Sequence, residues 1–226
     1  IYSIANKFPY ILNTCYGFFS TAWKESAAKI LKEKDKEEYY NSIYTDMKKF
    51  LFAIVICLIS VMPFIFPIFI NESFSEAYVY IPILVIAIYF SNISNFYGGI
   101  FSAYKNTKIM GTTTIIAAII NVVFNIALIS TLKIYAAVIS SLIANFIIYV
   151  YRRIVLKKYM NIKKSKKLGP IIMIIISIVS YYSNNWIFQL FILILSILYS
   201  ILINYHFIIS LKTSLLSKFQ TNKIEH

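Results

Sequence analysis

Lys7 stands in a run of residues whose types and spacing could hold an anion. Ser3, Lys7, Tyr10, Thr14, Gly17, Thr21 and Lys24 recur at steps of three and four, with Asn6, Asn13 and Ser20 beside them. On an α-helix such positions share a face, so the segment reads as an apolar helix with one polar stripe. A cationic lysine in that stripe complements an anion, and the neighbouring amides and hydroxyls offer donors and acceptors to a polar ligand. Pro9, two residues on, removes a backbone donor and is expected to kink the helix. A competing reading puts Lys7 near a helix end, ~9 Å from Ile1 at ~1.5 Å per residue, where its ammonium simply reaches the interface.

Two further sets carry the same signature. Ser91, Asn95, Gly98 and Ser102 are flanked by Asn92 and Gly99, and Thr114, Ala118, Asn121 and Asn125 follow one segment later. Small and amide side chains at these spacings let helices approach closely and hydrogen-bond across an interface, and some can also face a cavity. The candidate binding residues are therefore Asn6, Lys7, Tyr10, Asn13, Thr14, Asn95, Asn121 and Asn125. No enzyme is expected. The acids nearest the apolar segments are Glu25, Asp46, Glu72 and Glu76, all at segment edges or in a turn, and no nucleophile accompanies a histidine. The Gly98-Gly99 pair is too weak a signal for a phosphate-cradling loop. Cys15 and Cys57 lie within apolar segments and His206 and His226 are far apart, so neither a disulfide, a metal site nor a cofactor is expected.

The elements that must position these residues are long and apolar. Apolar stretches cover residues 1–23, 50–70, 80–101, 111–132, 134–151, 170–183 and 187–211, most near the ~20 residues a bilayer-crossing helix needs. Hydrophobic residues make up 59% of the 226 and charged ones 14%, and the mean hydropathy is +0.72, values foreign to a water-soluble domain. The expected fold is all-α, a polytopic membrane bundle of about seven transmembrane helices. Lys and Arg fall on alternate gaps: seven in 24–49, two in 105–108, eight in 152–167 and three in 212–226, against one, Lys133, in the intervening gaps. Cytoplasmic loops carry such an excess, so the C-terminus is expected inside and Ile1 outside. The net charge of +13 is distributed through these loops and suits an anionic leaflet, not nucleic acid.

The organisation expected is a five-span core over 1–151 with a cytoplasmic loop at 24–49, a basic loop at 152–169, a terminal hairpin at 170–211 and a tail at 212–226. Lys29 with Glu33 and Lys34 with Glu38 are opposite charges four apart, so the 24–49 loop is expected to be helical. Ile43, Met47 and Phe50 share one side and could rest on the headgroups; the plainer alternative is a solvated connector. Pro63 and Pro67 should bend the second span. The second, sixth and seventh spans carry few strong polar groups and are expected at the periphery, and Lys7 is the only basic residue expected inside a span.

The run Tyr2, Ser3, Ile4, Ala5, Asn6, Lys7, Phe8, Pro9, followed by Phe19 to Trp23 and a charged loop, resembles the early C-terminal half of polysaccharide flippases of the Wzx type. These belong to the multidrug/oligosaccharidyl-lipid/polysaccharide exporter superfamily. Gly98 to Lys108, containing Ala103 to Lys108, before Thr112, Thr113 and Thr114 resembles a span end and helix start of that family, and Asn121 to Asn125 with Lys133 to Ala137 resembles its next hairpin, although Ala136 and Ala137 stand where glycines are frequent. The resemblance covers most of 1–151.

It implies the C-terminal lobe of a multidrug-exporter-like transporter plus a terminal hairpin, the first span being the eighth of about fourteen. It further implies a pair of six-helix lobes that flip undecaprenyl-pyrophosphate-linked oligosaccharide across the cytoplasmic membrane of a bacterium by alternating access. The partners would be that lipid-linked oligosaccharide, membrane lipids and the missing N-terminal half of the same transporter. Amides and hydroxyls would meet the sugars and Lys7 the pyrophosphate, with more cations expected from the other half. Two rival readings are a multidrug exporter of the same superfamily, which would place an acidic coupling residue in a span, and a membrane polymerase of polysaccharide assembly, which would need large outer loops.

The charge asymmetry generates a direct expectation. Cysteines placed at Ser73 and Asn184 should react with an impermeant maleimide added outside intact cells, and one placed at Thr221 should react only after the cells are opened; the reverse pattern would invert the topology.

Overall fold

The computed structural model describes residues 1–162 and 168–224, with side chains through residue 209; the basic stretch 163–167 lies outside the described residues. Among the described residues eight α-helices follow in order: α1 Tyr2–Lys7, α2 Tyr10–Ile30, α3 Lys36–Phe69, α4 Ile81–Ala103, α5 Lys108–Leu132, α6 Ile134–Leu156, α7 Gly169–Tyr181 and α8 Trp186–Ile224. A 3₁₀ segment, Glu72–Tyr80, leads into α4, and no strand occurs among the described residues. Among the described residues five helical stretches are long and apolar enough to cross a membrane: α3, the 3₁₀ segment with α4, α5, α6 and Trp186–Ile209 of α8. The fold is thus an all-helical bundle suited to lipid, where each backbone polar group must be satisfied within its own segment. α7 is 13 residues long, ~20 Å at ~1.5 Å per residue, short of a ~30 Å hydrocarbon core. The α1–α2 segment is interrupted, because regular helix stops at Lys7 and resumes at Tyr10 across Phe8 and Pro9. The break falls where Pro9 removes a donor from the ladder.

α4 lies at the centre. It packs against α2 on one side and α6 on the other, α6 in turn carries α5, and α3 joins α4 to α7 and α8. The packing of α2 on α4 turns on Gly99, where the Trp23 indole occupies the space a Cβ would need. Trp23 stacks on Phe96 at 4.2 Å between centroids, and its Nε1 donates to the Phe96 carbonyl at 3.0 Å. Gly98 meets Met110 of α5 in the same manner, with Cε 2.7 Å from a virtual Cβ. The glycine pair therefore serves close approach of helices. Tyr44 of α3 completes the seam, its hydroxyl 3.1 Å from that of Tyr97.

Three expectations change. The 24–49 region is helical but is not a separate element: α2 continues to Ile30 and α3 begins at Lys36. These extensions pack on each other, since Tyr40 donates to the Ala27 carbonyl at 2.6 Å, and Tyr40, Tyr44 and Met47 are buried. Aromatic burial, not headgroup contact, uses that face of α3. The second span is not peripheral either, because α3 contributes Leu51, Val55, Ile56, Ile59 and Met62 to the core. Finally, α3, α7 and α8 do carry a polar seam. Ser60 bonds Ser196 at 2.9 Å and Ser177 at 3.4 Å, and Cys57 meets Ser200 at 3.3 Å. Small hydroxyls are what let apolar helices associate in lipid, where hydrophobic burial gives little drive. At the end of this seam Tyr78 and Tyr181 stack at 4.2 Å and each donates to the other's carbonyl, at 3.0 and 2.6 Å.

Two connections use lysine where glycine fits best. α4 closes with the amide of Asn106 on the Phe101 carbonyl and that of Lys105 on the Ser102 carbonyl, a Schellman arrangement that puts Lys105 at φ 57°. α5 turns directly into α6 at Lys133, with φ 48° and ψ −120°. Left-handed backbone costs a side-chain-bearing residue about 1 kcal/mol, so Lys105→Gly should raise stability by about that amount. Gly99→Ala should lower it by about 1–3 kcal/mol through overpacking against Trp23, whereas Gly111→Ala, with open space around its Cβ, should be neutral or stabilising by up to ~1 kcal/mol. Thermal melts of the purified variants in detergent check all three.

Candidate functional site

The α1–α2 segment turns its two faces to different surroundings. Ala5, Leu12, Tyr16, Trp23 and Ala27 are buried, while Ser3, Lys7, Tyr10, Thr14, Gly17 and Thr21 are exposed, so the polar stripe lies outward on the bundle. A groove of about 430 Å³ lined by Tyr2, Ser3, Asn6, Lys7 and Tyr10 opens along it. The helix break at Phe8 and Pro9 brings residues from both α1 and α2 to that groove. Its far edge is tied to α6 and α5: Tyr2 Oη lies 3.4 Å from Ser141 Oγ, which also accepts from Asn121 Nδ2 at 3.2 Å. The structure thus gathers Asn6, Lys7 and Tyr10 in one place with Asn121 at the margin. Asn13 and Thr14 continue one turn along α2, half-buried and exposed respectively, with Thr14 bonded back to the Tyr10 carbonyl. Asn125, one turn beyond Asn121, keeps a buried Oδ1 without a partner among the described residues.

Asn95 belongs to a different cluster, built around a residue the sequence reading placed in the basic loop. Arg152 lies inside α6, four residues before its end, and is only 3% exposed. α6 thus continues beyond residue 151, where the fifth span was expected to end, and carries Arg152 within it. The Arg152 guanidinium donates from Nε to Thr113 Oγ1 at 2.9 Å, from Nη1 to the Ser94 carbonyl at 3.1 Å and to Asn95 Oδ1 at 3.4 Å, and from Nη2 to the Met110 carbonyl and Thr114 Oγ1, both at 3.2 Å. An arginine has five N–H donors, and this cradle occupies all of them. Thr113 and Thr114 send their own hydroxyl protons to the Ile109 and Met110 carbonyls, which frees their lone pairs to accept. Every partner is neutral. No carboxylate pairs with Arg152 among the described residues, so a full positive charge sits in the protein with hydrogen bonds but no counterion, a costly arrangement where a binding partner is absent.

Two signals in the sequence pointed here. Arg occurs at only two positions, 152 and 153, against twenty lysines, and a chain that otherwise uses lysine for surface charge needs a reason for a planar fork. The threonine triplet Thr112, Thr113, Thr114 supplies consecutive hydroxyl acceptors near the start of α5, of which Thr113 and Thr114 meet Arg152. The signal was masked because Arg152 opens a run of cations that extends through Arg153, Lys157 and Lys158. Arg153 is the contrast. It is half-buried and bonds the Tyr149 hydroxyl at 2.6 Å along its own helix.

Comparison with models of protein families, with curated proteins and with solved structures finds no match for this chain.

Removing the guanidinium should expose its structural share. Arg152→Ala leaves two backbone carbonyls and the Thr113 oxygen without their donor and is expected to lower stability by about 2–4 kcal/mol. Arg153→Ala should change it by less than ~1 kcal/mol. Melting of the two variants in detergent, side by side, measures the difference.

Proposed function

We propose that this chain is one lobe of a polysaccharide flippase that carries lipid-linked oligosaccharide across the cytoplasmic membrane of a bacterium. The observation that carries the reading is the groove at Asn6, Lys7 and Tyr10, an exposed cation set among amides and hydroxyls on a bundle whose long helices expose apolar side chains. Ile115, Ile119, Val122, Val123 and Ile126 on α5 and Leu198, Ile201 and Leu202 on α8 are exposed, as lipid-facing helices require. Polar groups at the same depth need water or protein beside them. A hydrated path of this kind lowers the barrier for sugars and phosphates across ~30 Å of hydrocarbon while a polyprenyl tail stays in lipid.

In this reading the chain makes about seven crossings, with α1–α2 and α7 completed by the bundle around them and the C-terminus in the cytoplasm. The exposed stripe of α2 and the facing amides of α5 are covered by a second lobe, the N-terminal half of the same transporter. Lys7 meets the pyrophosphate; Asn6, Tyr10, Asn13, Thr14, Asn121 and Asn125 contact sugar hydroxyls. The resemblance of residues 2–9 and 103–137 to Wzx-type proteins supports the same assignment.

In the full-length transporter, charge at residue 7 should matter more than shape. Lys7→Arg should keep most polysaccharide export, whereas Lys7→Ala should lower it roughly tenfold or more at equal membrane abundance, the effect of one lost charge-assisted contact. Normal export by Lys7→Ala would overturn the assignment of this groove.

A further inference from the structure

We infer that the Arg152 cluster is a second anion site, for a phosphate or diphosphate group, in which Asn95 makes the contact and Arg152 positions and polarises it. A guanidinium can only donate, so Asn95 must turn Oδ1 toward Arg152 Nη1. That leaves Nδ2, which forms no hydrogen bond within the described residues, at the exposed side of the cluster. Its two N–H groups point away from a buried positive charge and are made better donors by it. The guanidinium itself has no spare hydrogen; its part is the uncompensated charge, which water screens less at a buried position than at the surface.

Ser94, whose carbonyl accepts from Arg152, also has a buried hydroxyl without a partner among the described residues. Buried hydroxyls normally find a partner, and this one belongs to a residue already bound to the unmatched charge. An anion accepts from Asn95 Nδ2 and offsets the charge of Arg152. A neutral sugar would accept from the amide and leave the charge. The cluster draws on α4, α5 and α6. If the transport reading holds, this site and Lys7 hold the same diphosphate at two depths; that clause alone rests on the reading, and the anion chemistry stands on the cluster itself.

The experiment uses the chain bearing Lys7→Ala, which removes the groove cation, in lipid-free maltoside micelles with inorganic pyrophosphate as probe. Pyrophosphate should raise its melting temperature in a saturable manner. Adding Asn95→Asp gives Arg152 a built-in counterion, so this variant should fold and melt at the same or a higher temperature while its pyrophosphate dissociation constant rises at least tenfold. Asn95→Gln, which keeps an amide, should recover part of the loss. Phosphatidic acid added to the micelles separates the sources. Protection by that lipid but not by pyrophosphate, with the same dependence on Asn95, assigns the site to a lipid headgroup phosphate. No protection by either ligand, or equal affinity with Asn95→Asp, overturns the proposal and leaves Arg152 as a structural tie. Because the readout is binding, failure of polysaccharide export would not affect it, and pyrophosphate binding without export would remove only the transport reading.

Discussion

A single buried guanidinium decides how the far side of this bundle is assembled. α5 packs chiefly against α6, and of its residues only Thr113 and Ala117 are buried. The rest of its contact is made by half-buried residues such as Ile109, Met110, Ile120 and Leu128. Arg152 supplies what packing does not, with bonds to Thr113, Met110 and Thr114 of α5 and to Ser94 and Asn95 of α4. At the other end of α5 the abrupt turn at Lys133 and the bond from Asn121 to Ser141 complete the attachment. Each is polar or geometric. In lipid that is the expected division of labour, since apolar contact between helices is no better than apolar contact with acyl chains.

The other half of the bundle is held by aromatic stacking and small residues. Trp23 seated on Gly99 and stacked on Phe96 fixes the rotation of α2 about its axis, and that rotation sends Tyr10, Thr14 and Thr21 outward. The serine seam and the reciprocal Tyr78–Tyr181 pair then fasten α7 and α8 to α3. A polar face is thereby presented by packing that lies wholly behind it. The polar face and the packed face are opposite sides of the same helix.

Much of this was legible in the residues and some was not. Helical periodicity with apolar runs of membrane length gave the class of fold, Pro9 marked the break between α1 and α2, and steps of three and four gathered Asn6, Lys7 and Tyr10. Arg152 escaped because burial of a charge depends on acceptors from other helices, here Thr113 and Ser94, and periodicity along α6 contains no trace of them. Its neighbours Arg153, Lys157 and Lys158 made it look like the start of a loop, whereas α6 continues to Leu156. The extension of α3 back to Lys36 was obscured for a related reason. Charged positions on that segment read as a solvated stretch, yet Tyr40, Tyr44 and Met47 between them are buried against α2 and α4. The role of Gly98 and Gly99 needed the partner side chains, Met110 and Trp23, which no single-helix pattern names.

The claim on which the account turns is that Arg152 is enclosed by neutral acceptors from two other helices. Because the chain contains only two arginines, ¹⁵N-arginine labelling combined with a ¹³C-carbonyl label on serine makes the geometry accessible to solid-state NMR in lipid bilayers. Dipolar recoupling should give a guanidinium nitrogen within about 4 Å of the Ser94 carbonyl carbon, absent in Arg152→Lys, with arginine N–H protons that exchange slowly with water. An arginine signal that shows no such coupling and exchanges freely would place Arg152 in solvent and contradict the account.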